Sequence, residues 1–147
     1  NMMHKFRYGN MNQPGIWIDE NLMRMCRTHR MMFMQLADAL MQEGQRDKCR
    51  EVLDYAEQML PEYNIPYDYT SASMAALYYT LGETDKANAM MSSVARNCVE
   101  YINWGDSLSK QRRRSAESLI GHHIAVLGYT LQHFDKYHQQ LMLHKKD

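Results

Sequence analysis

One pattern occurs twice in this chain, and it limits the fold more than anything else in the sequence. Around the first occurrence the residues run Phe33-x2-Leu36-Ala37-x2-Leu40, then Gly44, then Cys49-x3-Leu53, then Pro61. Around the second they run Ser71-x2-Met74-Ala75-x2-Tyr78, then Gly82, then Ala87-x3-Met91. The turns between, EGQRDKC and LGETDKA, align Gly44 with Gly82, Asp47 with Asp85 and Lys48 with Lys86, an offset of 38 residues. Steps of three and four put the apolar residues of each segment on one helical face. A glycine between two such segments ends the first helix and turns the chain. Each copy therefore reads as a helical hairpin. The small residues at matching places, Ala37 and Ala75 in the leading helices and Cys49 and Ala87 in the trailing ones, let paired helices approach closely.

This doubled grammar resembles the tetratricopeptide repeat, whose signature is a large residue, Leu and a small residue in helix A, a glycine turn, a small residue in helix B and a terminal Pro. The resemblance covers about Met31 to Glu100 and implies stacked hairpins with a concave face built from the A helices. Two features depart from the family: the period exceeds the usual ~34 residues by about four, and Ser71 stands where the second copy should open on a large residue. The excess is placed in EYNIPYDY, Glu62 to Tyr69, a tyrosine-rich loop carrying a proline.

The flanks complete the expected architecture. YGNMNQPGIWI, with its Gly, Asn and Pro, predicts an extended arm over residues 1–18, anchored by Ile16 to Ile18 and with at most a short strand near Trp17. Asp19 is placed to cap a first helix that runs to Gly44 with Leu22, Cys26, His29, Phe33, Leu36, Ala37 and Leu40 on its inner stripe. A second helix follows from about Lys48 to Leu60, stopped by Pro61. Two hairpins bury too little by themselves, and the spacing of Ile120, Ile124, Leu127, Leu131, Phe134, His138 and Leu141 predicts a long amphipathic helix that closes the stack. The expectation is an all-α chain: arm 1–18, then one tetratricopeptide-like domain 19–147 with repeat one at about 20–61, repeat two at about 69–104 and a capping helix at about 113–143.

Composition narrows the chemistry. Seventeen basic and seventeen acidic residues cancel, so no global field gathers nucleic acid, and none is expected as a partner. Cys26, Cys49 and Cys98 are far apart and form no CxxC, which fits neither a disulfide scaffold nor a zinc module. No apolar run is long enough to span a membrane, and NMMHKFRYGN lacks the apolar core of a signal peptide; the piece is expected to be soluble.

MRMCRTHRMMFM, residues 23–34, holds five methionines, a cysteine and a histidine. Soft Cu(I) suits Met and Cys ligands, and a Cys–His pair is where thiol catalysis starts. Cys26 and His29, however, fall on the stripe that faces the next helix, where methionine commonly fills gaps. Among seven histidines none stand at i, i+3 or i, i+4, the spacings that aim two imidazoles at one metal. The expectation is therefore no catalytic residue, no metal and no cofactor, with a metal-handling or thiol-active helix as the alternative.

Two surfaces are candidates instead. Mapping the repeat family's groove-facing positions onto this chain selects Met31, Met34, Asp38, Met41 and Gln42 from the first A helix and Tyr69, Ala72, Ala76 and Tyr79 from the second. That groove would be apolar and aromatic and would take a protein or peptide partner; it lacks the Lys and Asn set that clamps a terminal carboxylate in some relatives. KQRRR places Lys110, Arg112, Arg113 and Arg114 near a helix start, where cations oppose the macrodipole. Their charge then calls for an external anion: phospholipid headgroups, a phosphorylated ligand or a partner's carboxylates.

A second resemblance concerns most of the chain. NMMHKFRYGN, IDENLMRMCRTHRMMF, VLDYAEQMLPEYNIPYDYT and NCVEYINW are similar to the C-terminal soluble region of a family of large bacterial multi-pass membrane proteins, whose N-terminal half resembles glycosyltransferases that use lipid-linked sugars and is related to protein O-mannosyltransferases. The resemblance implies an interaction domain tethered to a bacterial inner membrane through a preceding part of a longer protein, itself carrying none of the catalytic machinery. The start at Asn1 fits an excised fragment on that reading.

Overall fold

The Asp19 carboxylate accepts a hydrogen bond from the backbone N–H of Leu22 at 2.7 Å and opens the first helix, α1, Glu20–Gln42. Four more helices follow: α2, Arg46–Met59; α3, Tyr69–Leu81; α4, Thr84–Ser107; and α5, Lys110–His144. The structure, a computed structural model, describes residues 3–144 and the side chains of residues 3–136. Among the described residues it is all helical with no strand.

The two glycine turns are built identically. At the first, Gly44 N–H reaches Met41 O at 3.0 Å and Gln45 N–H reaches Leu40 O at 2.8 Å; at the second, Gly82 N–H reaches Tyr79 O at 3.0 Å and Glu83 N–H reaches Tyr78 O at 2.9 Å. Both glycines are left-handed, with φ of 74° and 83°. This paired bonding closes the orphan carbonyls of a helix end, so the 38-residue offset in sequence is an offset between equivalent turns. Gly44 joins α1 to α2 and Gly82 joins α3 to α4. The four small residues at the matching positions, Ala37, Cys49, Ala75 and Ala87, are all 0% exposed. Ser71 has its own reason to be small and polar: its N–H bonds Asp68 Oδ1 at 3.3 Å while its Oγ accepts from Asp68 N–H at 3.2 Å. It is the inner half of a capping box that starts α3.

Packing runs both between neighbours and across them. Helix α1 packs on α2 and α3, α3 packs on α2, α4 and α5, and α4 packs on α5. The core is continuous through Phe33, Leu53, Leu60, Ile65, Met74, Tyr78, Met91 and Val94.

Three expectations are corrected. The arm is not extended: it folds through turns and is held by Tyr8 and Met11 against the core, with Asn64 Nδ2 donating to Met11 O at 2.6 Å and Gln13 O at 2.8 Å and Tyr63 Oη donating to Asn12 O. Trp17 is 84% exposed, while Ile18 of the expected anchor packs against the core. Helix α2 starts at Arg46 rather than Lys48, and α5 starts at Lys110 rather than Arg113. The inner face of α5 keeps Ile120 and Leu127 of the expected stripe but otherwise differs from it. Ala116, Ile120, Val126 and Thr130 are buried, while Ile124, Leu131 and Phe134 lie largely in solvent; His138 and Leu141 fall outside the described side chains. At Ile120 the helices run close, since a Cβ added at Gly105 of α4 would sit 2.5 Å from Ile120 Cδ1. Helices this close admit small and β-branched residues, not the bulkiest apolar ones, and the Thr130 hydroxyl is satisfied by Leu127 O at 2.7 Å.

Candidate functional site

On α1 the accessible stripe keeps Met31 and Gln42, with Met34, Asp38 and Met41 half-buried. Asp38 accepts from Gln42 Nε2 at 2.9 Å, one turn further on. Arg27 extends the same stripe by one turn toward the start of the helix. On α3 the register differs by one residue from that expected. Ala72 is 0% exposed and Tyr79 only 9%, because both turn into the packing between helices, and Tyr79 Oη bonds Asn88 Oδ1 at 2.5 Å. The accessible stripe is Tyr69, Ser73, Ala76 and Thr80, which is the other helical progression that starts at Tyr69.

The aromatic content of this face extends onto α5. Tyr69 meets Tyr129 at 5.3 Å between ring centroids, and Tyr129 meets His133 at 4.3 Å. Burial, helped by Lys136, holds the His133 pKa below its ordinary value, so this imidazole is neutral at pH 7. Beside Tyr69 a cavity of about 530 Å³ opens between the start of α3, the end of α4 and the middle of α5, lined by Arg27, Tyr67, Tyr69, Asn97, Tyr101 and His122 among others. Its wall is stiffened by Tyr101 stacked on His123, centroids 3.9 Å apart and planes 9° from parallel. His123 Nδ1 lies 2.7 Å from Leu119 O, an acceptor only, so Nδ1 carries the proton and Nε2 is left as the acceptor in the neutral ring.

KQRRR forms the start of α5. Arg113 pairs with Asp106 at 2.8 Å, both about half exposed, while Lys110, Arg112 and Arg114 are exposed. Among the described residues these three have no ion-pair partner.

The methionine-rich stretch is divided between core and solvent. Cys26 is 4% exposed and Phe33 0%, whereas Met25, Met31 and Met32 are exposed. Cys26 Sγ lies 3.8 Å from Met11 Sδ, and burial pushes its thiol pKa up, away from the thiolate that nucleophilic or metal chemistry needs. His29 meets the edges of Phe6 and Tyr8, at 6.0 and 5.5 Å. Among the described residues no three His, Cys, Asp or Glu side chains converge to hold a metal ion.

Two polar arrangements escaped the sequence reading. Arg30 is 1% exposed and donates to three backbone carbonyls of the α2–α3 loop: Leu60 O at 3.0 Å, Ile65 O at 2.6 Å and Pro66 O at 2.9 Å. Its guanidinium also lies 5.5 Å from the Tyr67 ring centre. The sequence carries a signal for it, since Arg30 stands on the progression Cys26, Arg30, Phe33, Ala37, which competes with the progression through His29. The second arrangement is a cavity of about 330 Å³ lined by Asp54, Glu57, Glu62, Tyr67, Tyr78, Lys86, Ala89 and Met90. Tyr78 Oη donates to Asp54 Oδ1 at 2.8 Å, and Lys86 Nζ reaches the same oxygen at 2.9 Å. Tyr67 Oη donates to Glu57 Oε2, and Ser93 Oγ to Glu62 Oε1. Glu57 Oε1 is buried with no partner among the described residues. Four separate segments supply these groups, so no spacing in the sequence marks them.

Burial raises the Glu57 pKa, against the Tyr67 hydrogen bond and the Arg30 charge that lower it. The folded state therefore binds the proton more tightly than the unfolded chain, and stability falls as pH rises from about 4.5 through the folded value. Glu57→Gln should match the parent near pH 4 and exceed it above that window, the gap growing by at most ~1.4 kcal/mol per pH unit. Urea unfolding of both proteins between pH 4 and 8 checks this; parallel stability curves would refute it.

Among the described residues no helix is long and apolar enough to cross a membrane. Neither a protein-family model nor a curated protein nor a solved structure matches this chain.

Proposed function

We propose that this chain is a non-catalytic, tetratricopeptide-like interaction module that holds an extended polypeptide along α1, α3 and the middle of α5. The observation that carries this reading is the exposed stripe of Met31 and Tyr69, 41% and 47% exposed, leading into the aromatic cavity beside Tyr69. Methionine and tyrosine supply adaptable and rigid apolar contact respectively, and nothing in this face resembles a catalytic constellation. Selection from a random peptide library tests it. Bound peptides should lose most of their affinity on Ser73→Arg or Met31→Glu, with the helical circular dichroism spectrum retained. Peptides indifferent to both substitutions would defeat the reading. A soft-metal or thiol-active helix has less support, because Cys26 is buried and its thiol stays protonated.

The module is further proposed to be the tail of a bacterial multi-pass inner-membrane protein of the glycosyltransferase-like type, with the start of α5 facing anionic headgroups. The exposure of Lys110, Arg112 and Arg114 supports this. A basic residue near an anionic surface is worth about 1 kcal/mol, so the pair of substitutions Arg112→Ala and Arg114→Ala should weaken binding to phosphatidylserine vesicles roughly thirtyfold at low salt. Co-sedimentation that is unchanged by the pair, or absent in the parent fragment, would leave these residues as a solvated helix start.

A further inference from the structure

The cavity between α2, α3, α4 and residues 60–68 shares Tyr67 with the aromatic cavity beside Tyr69 but is otherwise lined by different residues and carries its own chemistry. Its lining has three carboxylates, Asp54, Glu57 and Glu62, and one ammonium, Lys86. Two phenol rings complete it, and each already holds a cation near its face: Arg30 lies 5.5 Å from the centre of Tyr67, and Lys86 Nζ 5.7 Å from the centre of Tyr78.

We propose that this cavity is a receptor for a primary alkylammonium group, supplied by a lysine side chain of a bound polypeptide or by a free amine. Lys86 shows how the walls treat such a group. Its Nζ rests on Asp54 Oδ1 at 2.9 Å and near the Tyr78 ring, the carboxylate-plus-aromatic pairing that stabilises ammonium ions. The rest of the cavity repeats these parts, except that the cation over Tyr67, the Arg30 guanidinium, gives its hydrogen bonds to Leu60 O, Ile65 O and Pro66 O rather than to Glu57. Glu57 lines it, Tyr67 stands beside Glu57, and Glu57 Oε1 has no donor.

A buried carboxylate oxygen without a donor is costly, and the terminal torsion of a glutamate is soft, so a small turn offers this oxygen to an occupant. The phenol hydroxyls are already committed as donors to Asp54 and Glu57. What the site lacks is therefore a donor, not an acceptor. An anion is excluded by the excess of carboxylates. A bare divalent ion is disfavoured because no three ligating side chains converge among the described residues. At about 330 Å³ the space admits a four-carbon chain with its ammonium.

The test is titration of the full chain, followed by amide NMR, with three probes: n-butylamine, Nα-acetyl-lysine N-methylamide and the uncharged Nα-acetyl-norleucine N-methylamide. Both ammonium probes should shift amides of residues 54–67 and 78–93, and the norleucine probe should not. Glu57→Gln, nearly isosteric and checked for folding by circular dichroism, should weaken ammonium binding roughly tenfold or more. Lys86→Met, which removes the competing ammonium, should tighten it. A lysine amide that binds much more tightly than butylamine assigns the site to a polypeptide side chain; equal binding assigns it to free amines. Equal shifts from the norleucine probe, no shifts from either amine, or ammonium binding untouched by Glu57→Gln in a folded protein would each overturn the proposal.

Discussion

Arg30→Met should destabilise the fold by about 3 kcal/mol or more, a large share of the ~5–15 kcal/mol that holds a domain of this kind together. Methionine fills much the same volume but donates nothing, so Leu60 O, Ile65 O and Pro66 O lose their shared donor at once. Two of those three bonds are buried, and an unpaired buried carbonyl costs about 1–3 kcal/mol. Some relief comes from removing a desolvated charge, since burial works against the Arg30 cation while Asp68 and Glu57 support it. Arg30→Lys should recover only part of the loss, because one ammonium cannot fork to three carbonyls as the planar guanidinium does. Urea unfolding gives the magnitude, and amide exchange over residues 60–68 gives the location. A loss below 1 kcal/mol for the methionine variant would mean that the loop carbonyls rehydrate without penalty.

Phe33→Ala should cost a further class of stability, about 3–5 kcal/mol. Phe33 is 0% exposed and lies between Tyr8 of the arm, at 5.6 Å, and Tyr55 of α2, at 5.8 Å. Tyr8 in turn meets His29 at 5.5 Å, so one ring ties the arm, α1 and α2 together. Its loss leaves a cavity that its two aromatic neighbours, Tyr8 and Tyr55, are too rigid to fill. The melting temperature should drop on the order of 10 °C, with the amides of residues 6–13 losing exchange protection before those of α4. Phe33→Leu, which keeps most of the volume, should cost under about 2 kcal/mol. Equal effects of alanine and leucine would show that the arm, not the ring's volume, sets the stability here.

Local rules made the helical hairpins legible and long-range contacts made the rest illegible. Asp19, Gly44 and Gly82 act within a few residues of themselves, so capping and turn chemistry located them, and the small residues Ala37, Cys49, Ala75 and Ala87 announced close helix pairs. Arg30 finds its partners 30 to 36 residues away, and a charged residue among methionines reads as solvent-facing until those carbonyls are known. The stripe of α5 is legible only in part: Ile120 and Leu127 face the core as the spacing predicts, while Ala116, Val126 and Thr130 take inward places that apolar bulk does not mark. Of the α1 positions assigned to the proposed groove, Met31 and Gln42 are exposed and Met34, Asp38 and Met41 half-buried, while on α3 two progressions from Tyr69 fit a helix equally well and only packing decides which is accessible. The carboxylate–phenol cavity was invisible, since α2, α3, α4 and a loop must fold before Asp54, Glu57, Tyr78 and Lys86 become neighbours.

The contact between Gly105 and Ile120 has a consequence for how this sequence can drift. Glycine weakens a helix interior by roughly 0.5–1 kcal/mol relative to alanine, so it persists inside α4 only while Ile120 occupies the space a Cβ would need. The two positions share one volume. A lineage that acquires alanine at 105 gains helix propensity but must surrender bulk at 120, and one that keeps isoleucine at 120 stays bound to glycine. Viable relatives should therefore exchange size between these positions as a pair, 15 residues apart in sequence, with Gly–Ile and Ala–Val as permitted states and Ala–Ile as the combination that selection removes.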